Sequence, residues 1–526
     1  MKYLRKIKVS FKLIISLCLI FFAISSCEDL KDTLNYDQKR ITDKMLEQDA
    51  NEGGFQLPGM QLSIIDAVTT WRYEMQCNLC TDNWGGYVSL PSNFFDNKNT
   101  GTYAMVDSWN TQVWTMPATN VLDQWVQIKK SGFDTKYPDL YAMALIFKVW
   151  AGHRLVDIFG PIPYTLYGTG VDVKFDSEQE AYDQFFTELR TAVASLTAAE
   201  TADPNADQIR YAKFDKSRYG GDYAKWIKAA NTLRLRLAMR ISLIDPVKAK
   251  AEAEAAIADG GVIEPGMASV EVTTGARHPL VTITEDWQES RLNAAVESFL
   301  GGYNDPRLPV YGKPSIYQDS IKGIRSGAIL HGAVFGFSQL NFNNNPWMKL
   351  MDVSESSFLR AEGVLRGWDM GGKTAQEYYE QGIRASFLAQ KVSGIEAYIN
   401  DDASVPRSYV DPTDPINNTG ALTAIKIKWD EGATFEQKLE RIITQKWIAM
   451  YPEGGEAWAE FRRTGYPRLW PVAENNSDWI PDGEFIKRMS YPSVITNSSA
   501  TAVAAAIASY LNGHDSTFEP LWWDVN

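Results

Sequence analysis

The stretch DLYAMALIFKVWAGHRLVDIFGPIP, residues 139–163, decides the fold class of this chain. From Asp139 to Phe159 it is apolar on nearly every side, and Gly160-Pro161-Ile162-Pro163 then stops it. A helix apolar all round belongs in a large core or in a membrane. Lys148, His153, Arg154 and Asp157 lie at depths where a bilayer would penalise them, so the stretch reads as a buried helix. Next, Ser177 and Glu180 form a capping box ahead of Ala181 to Leu196, where Phe185, Leu189, Val193 and Leu196 share one face. Further helices are expected from Asp222 to Ile244, Val247 to Asp259, Ser354 to Arg366, Thr374 to Gln390, Thr434 to Tyr451 and Glu456 to Thr464. Thr374 with Glu377 and Thr434 with Gln437 repeat the capping box.

Short connections make sequential helices antiparallel neighbours. The result is four helix pairs, over residues 139–197, 222–259, 354–390 and 434–464. Such pairs bury their faces by stacking on one another. Their spacing is uneven and shows no strict tetratricopeptide signature, so periodicity leaves open both a solenoid-like core and an irregular helical domain. Residues 262–345 lose helical period and gain Pro, Gly, Asn and Thr, which predicts loops and short strands. Residues 70–125 are expected to be loop-rich too, within one domain spanning 46–526.

The N-terminus sets where this fold works. Lys2, Arg5, Lys6, Lys8 and Lys12 precede an uncharged run from Leu13 to Ile24, the pattern of a signal peptide over residues 1–26. The run is too short to span a bilayer. Ile24-Ser25-Ser26-Cys27 reads as a lipobox, with Cys27 acylated, as by palmitate, and mature residues 27–45 as a tether. The alternative is an ordinary secretory signal cut before Cys27. Glu28-Asp29-Leu30-Lys31-Asp32 resembles an acidic tag for the outer face of the outer membrane.

The leader holds five of the 52 basic residues and none of the 65 acidic ones, so the mature chain carries about −18. Such a surface repels nucleic acid and gives no electrostatic reason to lie on an anionic membrane, which leaves attachment to lipid. Cys77 and Cys80 are the cysteines of the folded part, either as a local disulfide or as free thiols. With His153, His278, His331 and His514 scattered, no metal site and no cofactor are expected.

Several motifs, in order along the chain, resemble the SusD/RagB family of nutrient-binding outer-membrane lipoproteins. They are the lipobox at Cys27, Tyr141-Ala142 through Asp157-Ile158-Phe159-Gly160-Pro161-Ile162-Pro163-Tyr164, and Tyr219-Gly220-Gly221-Asp222 through Ala230-Asn231-Thr232-Leu233-Arg234-Leu235-Arg236. Asn304-Asp305-Pro306-Arg307-Leu308, Phe358-Leu359-Arg360-Ala361-Glu362, Gly455-Glu456-Ala457-Trp458, Arg462-Arg463-Thr464-Gly465 and Trp522-Trp523-Asp524 complete the set. The resemblance implies a mainly α fold of four tetratricopeptide-like helix pairs packed against a loop-rich region with few short strands. It also implies a partner, a SusC-like TonB-dependent outer-membrane transporter, to which the lipoprotein delivers oligosaccharide or, alternatively, peptide.

The residues point to a ligand surface at 81–115, where seven aromatics make 20% of the stretch against 12% of the chain. Flat rings stack on the C–H faces of a sugar while amides and carboxylates meet its hydroxyls. Trp84, Tyr87, Trp109 and Trp114, with Asp82 and Asn83, are the candidates, on loops, each weighed against core packing. Trp287 and Trp347 flank the second loop-rich region, and Trp287 joins the candidates.

Gly367 to Thr374 matches a phosphate-loop pattern, but it follows a helix rather than a strand and Thr374 is already a cap. There is no HExxH and no GxSxG, and the chain is read as a binding protein rather than an enzyme. Adjacent acids such as Glu285-Asp286 leave a surface glycoside hydrolase as the competing class. Arg462 and Arg463 are expected to meet a helix dipole or neighbouring carboxylates.

Overall fold

A computed structural model describes residues 51–202, 210–317, 320–329, 334–342 and 345–525. The signal peptide, Cys27, the tether and His331 lie outside them. Two compact units, Met1–Glu52 and Gly53–Asn526, make up the chain, and every helix pair lies in the second.

The pairs are α1 (Pro138–Phe159) with α2 (Glu178–Ala202), α3 (Tyr223–Arg240) with α4 (Pro246–Ala258), α5 (Glu355–Leu365) with α6 (Ala375–Gln390), and α7 (Phe435–Met450) with α8 (Gly454–Thr464). Each starts within a residue or two of where the sequence puts it, because the start signals act locally. Ser177 Oγ accepts from Glu180 N while Glu180 caps Ser177 N in return. Thr374 with Glu377 and Thr434 with Gln437 close the same reciprocal box, and Asp222 and Asp245 cap α3 and α4. Consecutive helices pack side by side from α1 to α4 and from α5 to α8, and α3 also packs on α5. This is the stack of four helix pairs, and it resolves the open choice in favour of a tetratricopeptide-like core.

The polar residues inside these helices join the pairs. Arg236 of α3 holds Glu355 of α5 through Nε and Nη2 at 2.7 and 2.6 Å. Lys446 of α7 lies 3.4 Å from Glu456 and 3.3 Å from Glu460, both on α8. Arg463 grips Glu362 of α5 with two bonds of 2.7 Å and Glu460 with two more, of 3.0 and 2.8 Å. Asp157 of α1 is held at a pKa of about 2, because Arg240 and His153 outweigh its burial. These charges are buried and mutually paired, as burial requires. Arg463 thus meets carboxylates as expected. Arg462 instead stacks over Trp458 at 3.4 Å and donates to Lys487 O.

The loop-rich region between α4 and α5 is fastened to the pairs by the Asn304-Asp305-Pro306-Arg307 motif. Arg307, buried, binds Asp305 at 2.6 Å, Ser386 of α6 at 2.9 Å and Gln445 of α7 at 3.1 Å. Four short strands form two antiparallel ladders among the described residues. β1 (Val88–Ser89) pairs with β3 (Arg291–Leu292), and β2 (Val270–Val272) pairs with β4 (Met348–Met351).

Two expectations are corrected. Residues 107–125, within the stretch expected to be loop-rich, lie in helices Asp107–Pro117 and Asp123–Lys130 joined by a π-turn. Asn110, Thr111 and Gln112 interrupt the apolar face there and hide its period. Ala294–Gly302 is also helical, capped by Asn293, and its nearly continuous burial leaves little amphipathic contrast to read. The phosphate-loop look-alike is the turn between α5 and α6.

Candidate functional site

Trp84, Trp109 and Trp114 are each 5% exposed and Tyr87 is fully buried. Trp84, in a helical turn over Thr81–Trp84, lies 4.8 Å from Trp458 of α8, and its indole N–H donates to Thr100 O at 3.0 Å. Tyr87 stacks on Trp447 of α7 at 5.1 Å and donates to that residue's carbonyl at 2.5 Å. Trp109 is edge-on to Phe94 and Phe95, and Trp114 lies among Phe159, Phe175 and Tyr491. Both stand on the helix Asp107–Pro117 rather than on a loop. Asn83 donates to Val88 O at 3.1 Å, while Asp82 accepts from Asn78 and from Gly454 N. A Cβ at Gly454 would stand 2.3 Å from Asp82 Cα, so only glycine lets α8 begin this close. Burial, then the nearby Glu453, pushes the Asp82 carboxyl up to about 8. Trp84, Tyr87 and Asp82 weld the N-terminal segment to α7 and α8, and all six residues are buried.

Trp287 has the opposite placement, at 40% exposed. A π-turn over Thr282–Asp286 leads to it, with Trp287 N donating to Thr282 O at 3.0 Å. The next residue, Gln288, holds φ +61, a left-handed conformation that side chains rarely adopt. Arg291 locks this turn by donating to Gln288 O at 3.3 Å and to Phe335 O at 3.0 Å. Phe335 is 54% exposed.

A third exposed ring joins from the far N-terminal side. Trp71, 42% exposed, stands on the helical turn Thr70–Tyr73, which packs against Pro279–Val281. Tyr73 sets its edge against His278 at 5.6 Å. Glu74 follows, and burial, reinforced by the carboxyl of Glu289, raises it to about 9. Residues 71, 287 and 335, far apart in sequence, therefore ride on three segments that the fold stitches together. The acids beside them are engaged: Glu285 is bound by Arg277 at 2.9 Å and Lys313 at 2.6 Å, and Arg277 also holds Asp286.

Trp71 and Phe335 escape a composition-based reading because it singles out the ring-dense stretch 81–115 and the tryptophans flanking the second loop-rich region. Phe335 carries one usable signal, a large ring in the short glycine-bearing run Gly332 to Gly336. Cys77 and Cys80 are buried free thiols, which settles their open alternative, and burial pushes Cys80 up to about 12. Among the described residues no group of three or more His, Cys, Asp or Glu is placed to hold a metal.

The family model for SusD-like proteins, "Susd and RagB outer membrane lipoprotein", matches residues 33–524. The chain belongs to the SusD/RagB family. A chitin-binding SusD homologue from Flavobacterium johnsoniae shares 39% identity and superposes with a TM-score of 0.87, covering 90% of this chain and 99% of that one. A SusD-like protein from Bacteroides thetaiotaomicron shares 33% at a TM-score of 0.84, and a SusD homologue from Bacteroides uniformis 31% at 0.83, each again covering 90% of this chain and 99% of its own. No curated protein matches. Membership makes this an outer-membrane lipoprotein by family, and no helix among the described residues is long and apolar enough to cross a membrane. Within this SusD/RagB fold Trp71, Trp287 and Phe335 stand on the loop-rich region and its N-terminal neighbour.

Proposed function

We propose that this chain captures an extracellular glycan at the cell surface and passes it, chemically unchanged, to a SusC-like TonB-dependent transporter. The carrying observation is the exposure of Trp71, Trp287 and Phe335, three large rings left in solvent on segments that contact one another, those of Trp287 and Phe335 fixed by Arg291. Folding favours burying such rings, so rigid exposure of several together fits a surface that binds something flat and weakly polar. Gln288, Glu289 and Arg72 stand beside the rings as hydrogen-bonding groups. The chitin-binding relative supports a neutral, N-acetylated glycan as the ligand class, in keeping with the chain's net acidity.

Residues 1–26 are the export signal in this reading, Cys27 carries the lipid, and the tether of 27–45 holds the binding domain on the exterior face. Replacing Cys27 by alanine should move the protein from the membrane to the soluble fraction. Retention on membranes from cells lacking the transporter would contradict the anchor. Calorimetric titration of the soluble form, residues 28–526, against chitin oligosaccharides, acidic polysaccharides and peptide digests tests the ligand class. Heat with the neutral saccharide is expected, and heat with peptides alone would transfer the protein to peptide import.

A further inference from the structure

The segment 277–292 has two functional ends. Trp287 faces solvent at one, and at the other His278 forms part of the wall of a 560 Å³ cavity. That volume lies in the range of sites that enclose small molecules. Trp347 lines the same cavity, pinned from one face by the Arg218 guanidinium 4.0 Å from its ring centroid.

The charges of the wall are spent on each other. Arg218 pairs with Glu271, and Lys349 binds Asp352 at 2.6 Å and Tyr451 O at 3.1 Å. Asp352 is further occupied by Ser354 N at 2.9 Å. Lys391, exposed on the cavity's lining, is the one lining Lys or Arg outside an ion pair among the described residues. A cavity balanced in this way offers little to an ion.

What it does offer is a neutral donor. His278 is 2% exposed, and its Nδ1 accepts from Leu280 N at 3.1 Å, so in the neutral ring the proton sits on Nε2. Burial alone lowers the ring's pKa to about 3, so it stays neutral at working pH. Among the described residues nothing accepts from Nε2, while Phe342 stacks on the ring at 4.8 Å. That N–H is left to donate to a molecule seated against the cavity wall. The partner that suits it here is an uncharged oxygen, a hydroxyl or an acetamido carbonyl, on a molecule with an apolar face for Trp347.

We propose that this cavity is a second subsite for one or two residues of a neutral sugar, with His278 Nε2–H donating to a sugar oxygen beside Trp347. The proposal rests on the glycan reading and adds to it a sugar contact within the cavity beside the contacts along the exposed rings.

The test is titration of the full-length protein in detergent with the N-acetylglucosamine disaccharide and with a long oligomer of the same sugar. Two variants address the cavity. Ala389→Trp fills it from an exposed position near the end of α6, and His278→Asn keeps a capping acceptor but removes the imidazole donor. The disaccharide is expected to bind the wild type and to weaken at least tenfold in both variants, whereas Trp287→Ala weakens the long oligomer more than the disaccharide. Equal disaccharide affinity in wild type and Ala389→Trp overturns the subsite. So does a silent disaccharide beside a long oligomer whose binding needs Trp287, an outcome that leaves the surface reading intact. Silence with both saccharides defeats the glycan reading and the subsite together.

Discussion

Trp84 and Trp287 are the same residue in two regions that both lack a clear helical period, yet one is packed against α8 and the other stands in solvent. The two regions are joined directly, since Val88 pairs with Leu292 across the β1–β3 ladder. What separates them is company. Between 81 and 115 the rings are dense enough to pack on one another and on Trp447, Trp458 and Phe159 from the helix pairs. Trp71, Trp287 and Phe335 lie outside that stretch and in solvent, and Arg291 fixes the segments of Trp287 and Phe335. Aromatic density marked core here, Phe95 at 59% exposed excepted, and rings outside the dense stretch marked the exposed surface.

The largest effect should come from the buried side. Trp84→Ala empties a ring-sized space against α8 and should lower stability by ~3–5 kcal/mol, seen as a lower chemical-denaturation midpoint. An effect below 1 kcal/mol would mean that the ring is not packed as described. Glu74→Gln probes the brace between the two tryptophan-bearing segments. The folded-state value of Glu74, about 9, lies above its ordinary 4.5, so its protonated form stabilises the fold and that contribution fades as pH rises from 4.5 towards 9. The variant should therefore be more stable than wild type at pH 8 and indistinguishable from it at pH 4. A constant difference across that range would contradict the assignment. Thr374→Ala, which opens one reciprocal cap on α6, should cost about 1 kcal/mol. Smallest of all, Trp287→Ala should leave stability within about 0.5 kcal/mol of wild type while weakening saccharide binding.

The helix pairs were legible because their signals are local. Capping residues bond to backbone three positions away, and a one-sided apolar stripe such as Phe185, Leu189, Val193 and Leu196 needs no knowledge of its partner. Arg236 and Glu362 were legible only as family motifs, because their pairings with Glu355 and Arg463 join residues 119 and 101 positions apart. The ligand surface was the least legible part. Whether a ring is buried depends on tertiary neighbours, so Trp109 and Trp114 looked like Trp287 until Phe94 and Phe159 were found against them. Trp71 and Phe335 carry almost no signal of their own and gain meaning from the contacts that bring residues 74, 278 and 289 together.

The central claim is that the braced exposed rings, not the dense buried ones, hold the glycan. It is tested most directly by titrating a long N-acetylglucosamine oligomer into wild type and the Trp71→Ala/Trp287→Ala double variant, with melting curves recorded on both. An affinity at least tenfold lower, equivalent to about 1.4 kcal/mol, with an unchanged melting temperature is the result expected. Unchanged affinity in the double variant would contradict the account.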